Sequence, residues 1–212
     1  VQTTSLPPAR IVDTARGFKD QWLRFATGVT HTHGDGEEHT HEGLDGHTWM
    51  DPVLAVEQAR AIEAALRRLW PEHADTYQRG LEALEADLRA LDEAYRGLGA
   101  LPDGQALYTT HAAYGYLARR YGWALVDLNM IWEPTESELA EISGHQEETP
   151  GRFLLWERAP DAQTADVFRG AVGLESIVVC PCKAKGDATA AGGDYLAAMR
   201  ANVERLRPAF RR

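Results

Sequence analysis

The segment QALYTTHAAYGYLARRYGWALVDLNM, residues 105–130, has the pattern of a strand, a helix and a second strand. QALYTT at its start and ALVDLNM at its end are short β-like runs, and the residues between them predict a helix from Ala112 to Tyr121. Strands that alternate with helices favour βαβ units with parallel strands. The segment therefore indicates an α/β fold.

The same alternation continues toward the end of the chain. Helices are predicted from Glu136, from Asp161 and from Gly193 to Arg207, and the β-like runs RFLLWE and SIVVC lie between them. Four short strands, each followed by a helix, predict a mostly parallel sheet covered by helices.

Two helices are predicted before the sheet. Apolar residues recur at helical spacing after Asp51 until Pro71 interrupts the pattern. Pro71 suits the first turn of a second helix, in which apolar residues alternate spacings of four and three. This predicts a long amphipathic helix. Residues 1–30 offer only the strand-like run RIVDTA and the weakly helical run FKDQWLRFA.

Residues that can bind metal follow three of the predicted strands. QALYTT leads into His111, RFLLWE ends in Glu157, and SIVVC ends in Cys180. Ligands of open parallel sheets bind beyond the carboxyl ends of the strands, and imidazole, carboxylate and thiolate all bind zinc. The three residues therefore predict a metal site at one sheet edge. The alternatives are a hydrogen-bonded histidine at a helix entry, a carboxylate near a helix N-terminus and a buried inert thiol.

The segment HTHGDGEEHTHEGLDGH, residues 31–47, contains five of the eight histidines of the chain. It lacks periodic apolar residues, which predicts a mobile loop over residues 31–46. His47 differs from the other four, because the apolar and helix-starting sequence TWMDP follows it and a fixed segment can orient an imidazole. The others predict weak, interchangeable metal binding, or else a solvated linker. They are His31, His33, His39 and His41.

Composition disfavours several classes of function. The chain has 22 Lys and Arg against 32 Asp and Glu, a net charge of -10 that argues against a nucleic-acid partner. No apolar run reaches the roughly 18 residues of a transmembrane helix, and we identify no signal peptide. Cys180 and Cys182 alone form no disulfide framework. A P-loop, a dinucleotide fingerprint, a serine elbow and an H-E-x-x-H motif are all missing from the sequence.

Several segments together resemble one known family. The motif H-x-W-x-D-P lies in the segment GHTWMDPVLAVEQARAIEAAL, and the motif T-x-H-x-A-x-x-Y lies after it in YTTHAAYGYLARRYG. A third segment, EPTESELAEI, follows them. They resemble the solute-binding proteins of metal-uptake ABC transporters, in particular the zinc-type, ZnuA-like branch. The resemblance implies two α/β lobes with mostly parallel sheets and a long linking helix, with the metal held between the lobes.

The resemblance also implies a division of the chain into three parts. Residues 1–70 would be a remnant of the N-terminal lobe that carries the His-rich loop 31–46. Residues 71–100 would be the linking helix, and residues 101–212 the C-terminal α/β lobe. The family has a further ligand histidine in its first lobe, upstream of these residues, so we expect that lobe to be incomplete.

In this family the matching positions imply His47 and His111 as metal ligands. Manganese-type relatives carry a carboxylate at the position of His111, so the imidazole points to Zn(II). At the last ligand position the family has aspartate before proline, whereas this sequence has Cys180 before proline. A thiolate there would favour zinc or other soft ions. Glu157 and Asp187 are possible substitutes, and we rank Cys180 first and Glu157 second.

The implied protein is a monomer located in the periplasm or elsewhere outside the cytoplasm, and it is not an enzyme. It would capture Zn(II) and deliver it to an ABC transporter permease without inserting into the membrane itself. Two alternatives are open. The first is a zinc-dependent hydrolase, because catalytic zinc is bound by three protein ligands plus water. Glu157 is the only candidate for its general base. The second alternative is a degenerate fragment that binds metal only weakly.

Overall fold

The computed structural model describes residues 7, 10–25, 29–32, 38–41, 43–130, 134–183 and 193–211. Strands and α-helices are numbered within these ranges. The strands are β1 (Val29–Thr32), β2 (Glu38–His41), β3 (Leu107–Thr109), β4 (Leu125–Asp127), β5 (Phe153–Trp156) and β6 (Glu175–Val178). The helices are α1 (Pro52–Leu69), α2 (Ala74–Arg96), α3 (Gly115–Tyr121), α4 (Glu136–Glu148), α5 (Ala162–Val172) and α6 (Tyr195–Leu206).

Strands β3 to β6 form one parallel sheet in the order β4-β3-β5-β6. The first three lie inside runs that were expected to form strands, and β6 begins one residue before the run SIVVC; α3, α4 and α5 connect the four strands in sequence. The predicted α/β class with a parallel sheet is therefore confirmed. Strands β1 and β2 form a separate antiparallel hairpin.

Helices cover both faces of the parallel sheet. Side chains of a strand alternate between the faces, and in β5 Phe153 and Leu155 pack in one core cluster while Leu154 and Trp156 pack in another. The first cluster includes residues of α2 and α6, and the second includes residues of α4 and α5. The result is a three-layer α/β/α unit with a core on each side of the sheet.

Helices α1 and α2 pack against each other and confirm the two helices predicted before the sheet. Asp51 caps α1 by accepting hydrogen bonds from two backbone N–H groups of the first turn. A single 3₁₀ turn, Pro71–His73, separates the helices. The last turns of α2 bury Leu91 and Tyr95 in the core, whereas Leu84 in its first half is exposed. Within the described ranges, none of the helices is long and apolar enough to cross a membrane.

The predictions for the first 30 residues are wrong where the structure describes them. RIVDTA forms no strand: Ile11 and Val12 are exposed and belong to none of the described strands. A strand-like sequence without a partner has no ladder of hydrogen bonds to hold it extended. FKDQWLRFA is not an α-helix either, because a 3₁₀ segment, Arg16–Gln21, ends before an extended Trp22.

Residues 31–46 were expected to be a loop, and this prediction is wrong for part of the segment. The two strands of the hairpin pair in a register that places His31 opposite His39 and Val29 opposite His41. Threonine alternates with histidine in both strands, β1 also contains Val29, and β-branched residues favour extended backbone. His33 lies outside the described residues.

Candidate metal centre

The sheet order places two of the predicted ligands at a crevice. Strands β3 and β5 are neighbours, but the chain leaves β3 toward β4 on one side and leaves β5 toward β6 on the other. Ligands bind in the crevice that such a reversal opens beyond the carboxyl ends of the strands. His111 lies just after β3, and Glu157 follows β5 directly. The topology therefore brings together two residues that are far apart in sequence.

His111 and Glu157 are neighbours in this crevice. The Nε2 atom of His111 lies 3.7 Å from Oε1 of Glu157, and both side chains are largely buried, with 13% and 22% exposed. The ammonium of Lys183 lies 2.7 Å from the same carboxylate oxygen. The two groups form an ion pair at the buried Oε1 atom. The carboxylate thus faces a histidine and a cation.

The helix expected from Ala112 begins at Gly115 instead. A tight turn follows His111, whose carbonyl oxygen accepts a hydrogen bond from Ala113 N–H. This turn directs the chain away from the sheet edge before the helix starts. Tyr114 then lies under the crevice, and its hydroxyl donates to the carbonyl oxygen of Val179. Burial, followed by the negative charge of Glu157, raises the pKa of the Tyr114 hydroxyl well above its ordinary value.

His47 reaches the same place from the N-terminal half of the chain. Its ring centroid is 5.5 Å from that of His111, with the rings nearly perpendicular. Asp45 accepts hydrogen bonds of 2.8 Å from both the Nδ1 atom and the backbone N–H of His47. His47 and Asp45 are both buried. Because the carboxylate holds a proton on Nδ1, Nε2 is the nitrogen left for a metal, which is the usual arrangement of a ligand histidine.

Two contacts with α3 fix the turn that carries His47. Asp51, which is fully buried, binds the guanidinium of Arg120 through both carboxylate oxygens at 2.7 to 3.0 Å. The Tyr116 hydroxyl donates to the carbonyl oxygen of Asp45 and accepts from the backbone N–H of Leu23. The turn is therefore locked to the helix that follows His111.

The loop after β6 and the first residue of α6 each provide a further contact to the same turn. Trp49 donates its indole N–H to the carbonyl oxygen of Pro181, and the Tyr195 hydroxyl donates to the carbonyl oxygen of Trp49. Cys180 is buried, and Asn202 holds its backbone N–H and C=O at 2.9 and 2.7 Å. Cys180 therefore lies at the same sheet edge, one strand beyond Glu157.

The described residues contain no group of three or more His, Cys, Asp or Glu side chains that could already hold a metal ion. His111 lies beside both His47 and Glu157, and Cys180 follows the strand next to the one that precedes Glu157. Two imidazoles with a carboxylate or thiolate make a donor set of zinc type. The hairpin carries His31, His39 and His41, while Asp187 lies outside the described residues.

Three residues around the centre were missed by the sequence analysis. Asp45 orients His47, Lys183 pairs with Glu157, and Asn202 holds Cys180. The spacing of Asp45 and His47 is a signal that could have been found, because an acid two residues before a ligand can reach its ring. Lys183 and Asn202 meet their partners only through the fold, and the sequence carries no local sign of those contacts.

The α/β fold and the candidate metal centre together point to the class of α/β solute-binding proteins. The family model described as zinc-uptake complex component A, periplasmic, matches residues 3–209. The chain belongs to this family. The predicted resemblance is therefore confirmed, and the family is one of uptake components, not of enzymes.

Individual relatives agree with this assignment. The chain is 28% identical over 179 residues to the zinc-binding lipoprotein AdcA of Streptococcus pneumoniae, covering 82% of this chain and 36% of the relative. It is 27% identical over 170 residues to the high-affinity zinc uptake system protein ZnuA of Bacillus subtilis, covering 74% and 53%. The chain therefore spans about a third to a half of these relatives.

A solved structure confirms the fold. The Zn(II)-bound ZnuA-like domain of Streptococcus pneumoniae AdcA superposes with a TM-score of 0.71 at 25% identity, covering 78% of this chain and 64% of that one. The chain therefore shares the fold of the matched part of this solute-binding domain. None of these relatives supports the hydrolase alternative.

Proposed function

We propose that this chain captures Zn(II) outside the cytoplasm and delivers it to an ABC transporter permease. The observation that carries this proposal is the approach of the His47 and His111 rings to 5.5 Å. They come from opposite halves of the chain, and neither forms part of the regular core. The relatives named as zinc-uptake and zinc-binding proteins support zinc as the cargo.

The proposed ligands are His47 and His111 through their Nε2 atoms. Imidazole suits zinc, and Asp45 gives His47 the oriented ring that tight zinc sites require. Zinc bound between two imidazoles would lie about 2.0 to 2.1 Å from each nitrogen. A metal there would also be close to Glu157, whose Oε1 atom is 3.7 Å from His111 Nε2.

Cys180 and Glu157 are the proposed sources of a third ligand, with Cys180 ranked first. The rank of Cys180 rests on its family position and on the affinity of thiolate for zinc. Glu157 lies 3.7 Å from His111, but the Lys183 ammonium neutralises its charge. Zinc binding through Glu157 would therefore have to displace an ion pair.

We propose the division of the chain that the family implies. The part before residue 71 would belong to the N-terminal lobe, α2 within residues 71–100 would link the lobes, and residues 101–212 would form the C-terminal lobe. The burial of α2 supports this role, because its last turns join the core of the parallel sheet while its first half has an exposed Leu84. A linking helix needs two such different halves.

The proposed delivery of zinc to a permease rests on the membership of the chain in this family and not on any contact that the chain makes. A relative named a lipoprotein and a family named periplasmic support a place outside the cytoplasm. We propose that the chain acts there as a monomer that catalyses no reaction. An acidic chain of net charge -10 also favours a cationic cargo over nucleic acid.

Competition with a zinc chelator tests this function. We expect the wild-type chain to bind one equivalent of zinc tightly. His111→Ala should lower the affinity by more than about 100-fold, beyond the usual loss when only an orienting partner is removed. His145→Ala is the matched control, because His145 lies on the exposed surface of α4, and it should change nothing.

The same titration distinguishes the proposed function from a degenerate fragment and tests the assignment of the site. If the wild-type chain binds zinc only weakly, the reading of a degenerate fragment is correct and the proposed function fails. If His111→Ala leaves tight binding intact, the site assignment is wrong.

A further inference from the structure

Cys180 and Cys182 form a pair whose geometry the proposed ligand set leaves unexplained. Their sulfur atoms are 3.8 Å apart, within hydrogen-bonding distance of each other, and no disulfide joins them. A disulfide would require about 2.05 Å, so the sulfurs are not bonded to each other. A tetrahedral zinc ion with Zn–S bonds of about 2.3 Å holds two thiolates about 3.8 Å apart. The pair thus already has the separation of two ligands on one ion.

The backbone holds the two sulfurs in this arrangement. Cys182 has φ of 55°, a left-handed conformation that is uncommon for a residue with a side chain. This conformation turns the chain back, so that the Cys182 N–H donates to the Cys180 sulfur at 3.4 Å. Asn202, fully buried, fixes Cys180 from the other side through two hydrogen bonds. Strain of this kind is commonly stored at binding sites.

The loop that carries the pair is tied to the candidate metal centre at two points. Between the cysteines, the carbonyl oxygen of Pro181 accepts the indole N–H of Trp49, two residues after His47. Directly after the pair, Lys183 reaches Glu157. The loop that carries the two thiols is therefore attached to residues next to His47 and His111.

From this geometry we propose that Cys180 and Cys182 bind the cargo ion together as a thiolate pair. The proposal rests on the proposed function, since the ion is the zinc that the chain captures, and it adds Cys182 as a ligand. Two thiolates would make the site selective for soft divalent ions such as Zn(II) and Cd(II) over Mn(II). Cys182 would thereby determine the specificity of capture.

Cobalt(II) is a suitable reporter, because it replaces zinc in such sites and each thiolate bound to it adds charge-transfer absorption in the near ultraviolet. The reduced wild-type chain is titrated with Co(II) without oxygen. Cys182→Ser should lower this absorption per bound metal by about half, since one of two thiolates is lost. The Cys180→Ser, Cys182→Ser double variant should abolish it. Cys182 is partly exposed, so its replacement by serine should leave the fold intact.

Protection by zinc gives a second measurement that requires no variant. One equivalent of Zn(II) should protect two thiols per chain from an aromatic disulfide reagent, whereas Mn(II) should protect neither. The proposal is overturned if Cys182→Ser retains the full wild-type absorption, or if zinc leaves Cys182 as reactive as before. If the wild-type chain binds zinc tightly but shows no sulfur absorption with cobalt, the thiolate pair fails alone and the proposed function stands.

Discussion

Two neighbouring segments of this chain carry histidines, and the fold holds them very differently. The turn at residues 43–51, which we call the anchored turn, is tied by side-chain hydrogen bonds to α3 and to the loop after β6. The β1–β2 hairpin pairs its strands with each other and with no other described strand. A tight metal site needs an imidazole of fixed orientation, which the anchored turn supplies. Histidine content alone is therefore a poor guide to the site.

The largest expected effect comes from breaking the anchored turn. Asp51→Asn removes the charge that binds Arg120 inside the protein and leaves the guanidinium without its carboxylate. We expect a loss of about 3 kcal/mol in the free energy of unfolding, measured by urea denaturation. Asp87→Asn, which breaks the exposed ion pair with Arg200, is the matched control and should cost less than about 1 kcal/mol. Equal losses would show that the turn is not specially anchored.

The next effect tests orientation without breaking the fold. Asp45→Asn removes the negative charge that holds Nδ1 of His47, so the ring loses its preferred tautomer and position. Zinc affinity should fall about 10- to 100-fold in a chelator competition, the usual range for such orienting partners. Asp13→Asn changes an exposed carboxylate that accepts one local hydrogen bond and should leave the affinity unchanged. An unchanged affinity for Asp45→Asn would mean that His47 does not bind the metal.

A smaller effect, of opposite sign, is expected at the sheet edge. Lys183→Met removes the ammonium that lies 2.7 Å from Glu157 and leaves the carboxylate free to attract a cation. Zinc should then bind about tenfold more tightly, because two like charges no longer compete for one oxygen. Arg200→Gln removes an exposed cation as the control for net charge. Weaker or unchanged binding in Lys183→Met would exclude competition between lysine and metal for Glu157.

The smallest effect is expected in the hairpin. Replacing His31, His39 and His41 by alanine removes three imidazoles from the two strands without altering the anchored turn. The tight affinity should change by less than about twofold, since none of the replaced residues belongs to the proposed ligand set. Isothermal titration should lose only weak additional binding. A large loss of tight affinity would transfer the site from the anchored turn to the hairpin.

The alternating pattern of strands and helices predicted most of the fold. Four β-like runs became the parallel sheet, and the amphipathic stripes became α1 and α2. Such elements have local signatures, because side-chain periodicity follows from their geometry. The prediction of a strand at RIVDTA was wrong because a strand needs a partner strand, and a short sequence carries no information on whether one is present. The hairpin was missed because its alternating threonine and histidine were read as composition and not as periodicity.

The candidate centre was only partly predictable. His111, Glu157 and Cys180 follow strands, so a rule about sheet edges was enough to group them. The approach of His47 to His111 depends on the anchored turn, whose partners Arg120 and Tyr116 lie on α3. Long-range contacts of this kind have no local signature. The same is true of the ion pair between Lys183 and Glu157.

The most direct test of the central claim is a crystal structure of the zinc-loaded chain, with zinc located by anomalous scattering at its absorption edge. We predict one strong peak bound to Nε2 of both His47 and His111, at about 2.0 to 2.1 Å from each nitrogen. A strong peak on the β1–β2 hairpin with none between these two rings would contradict the account.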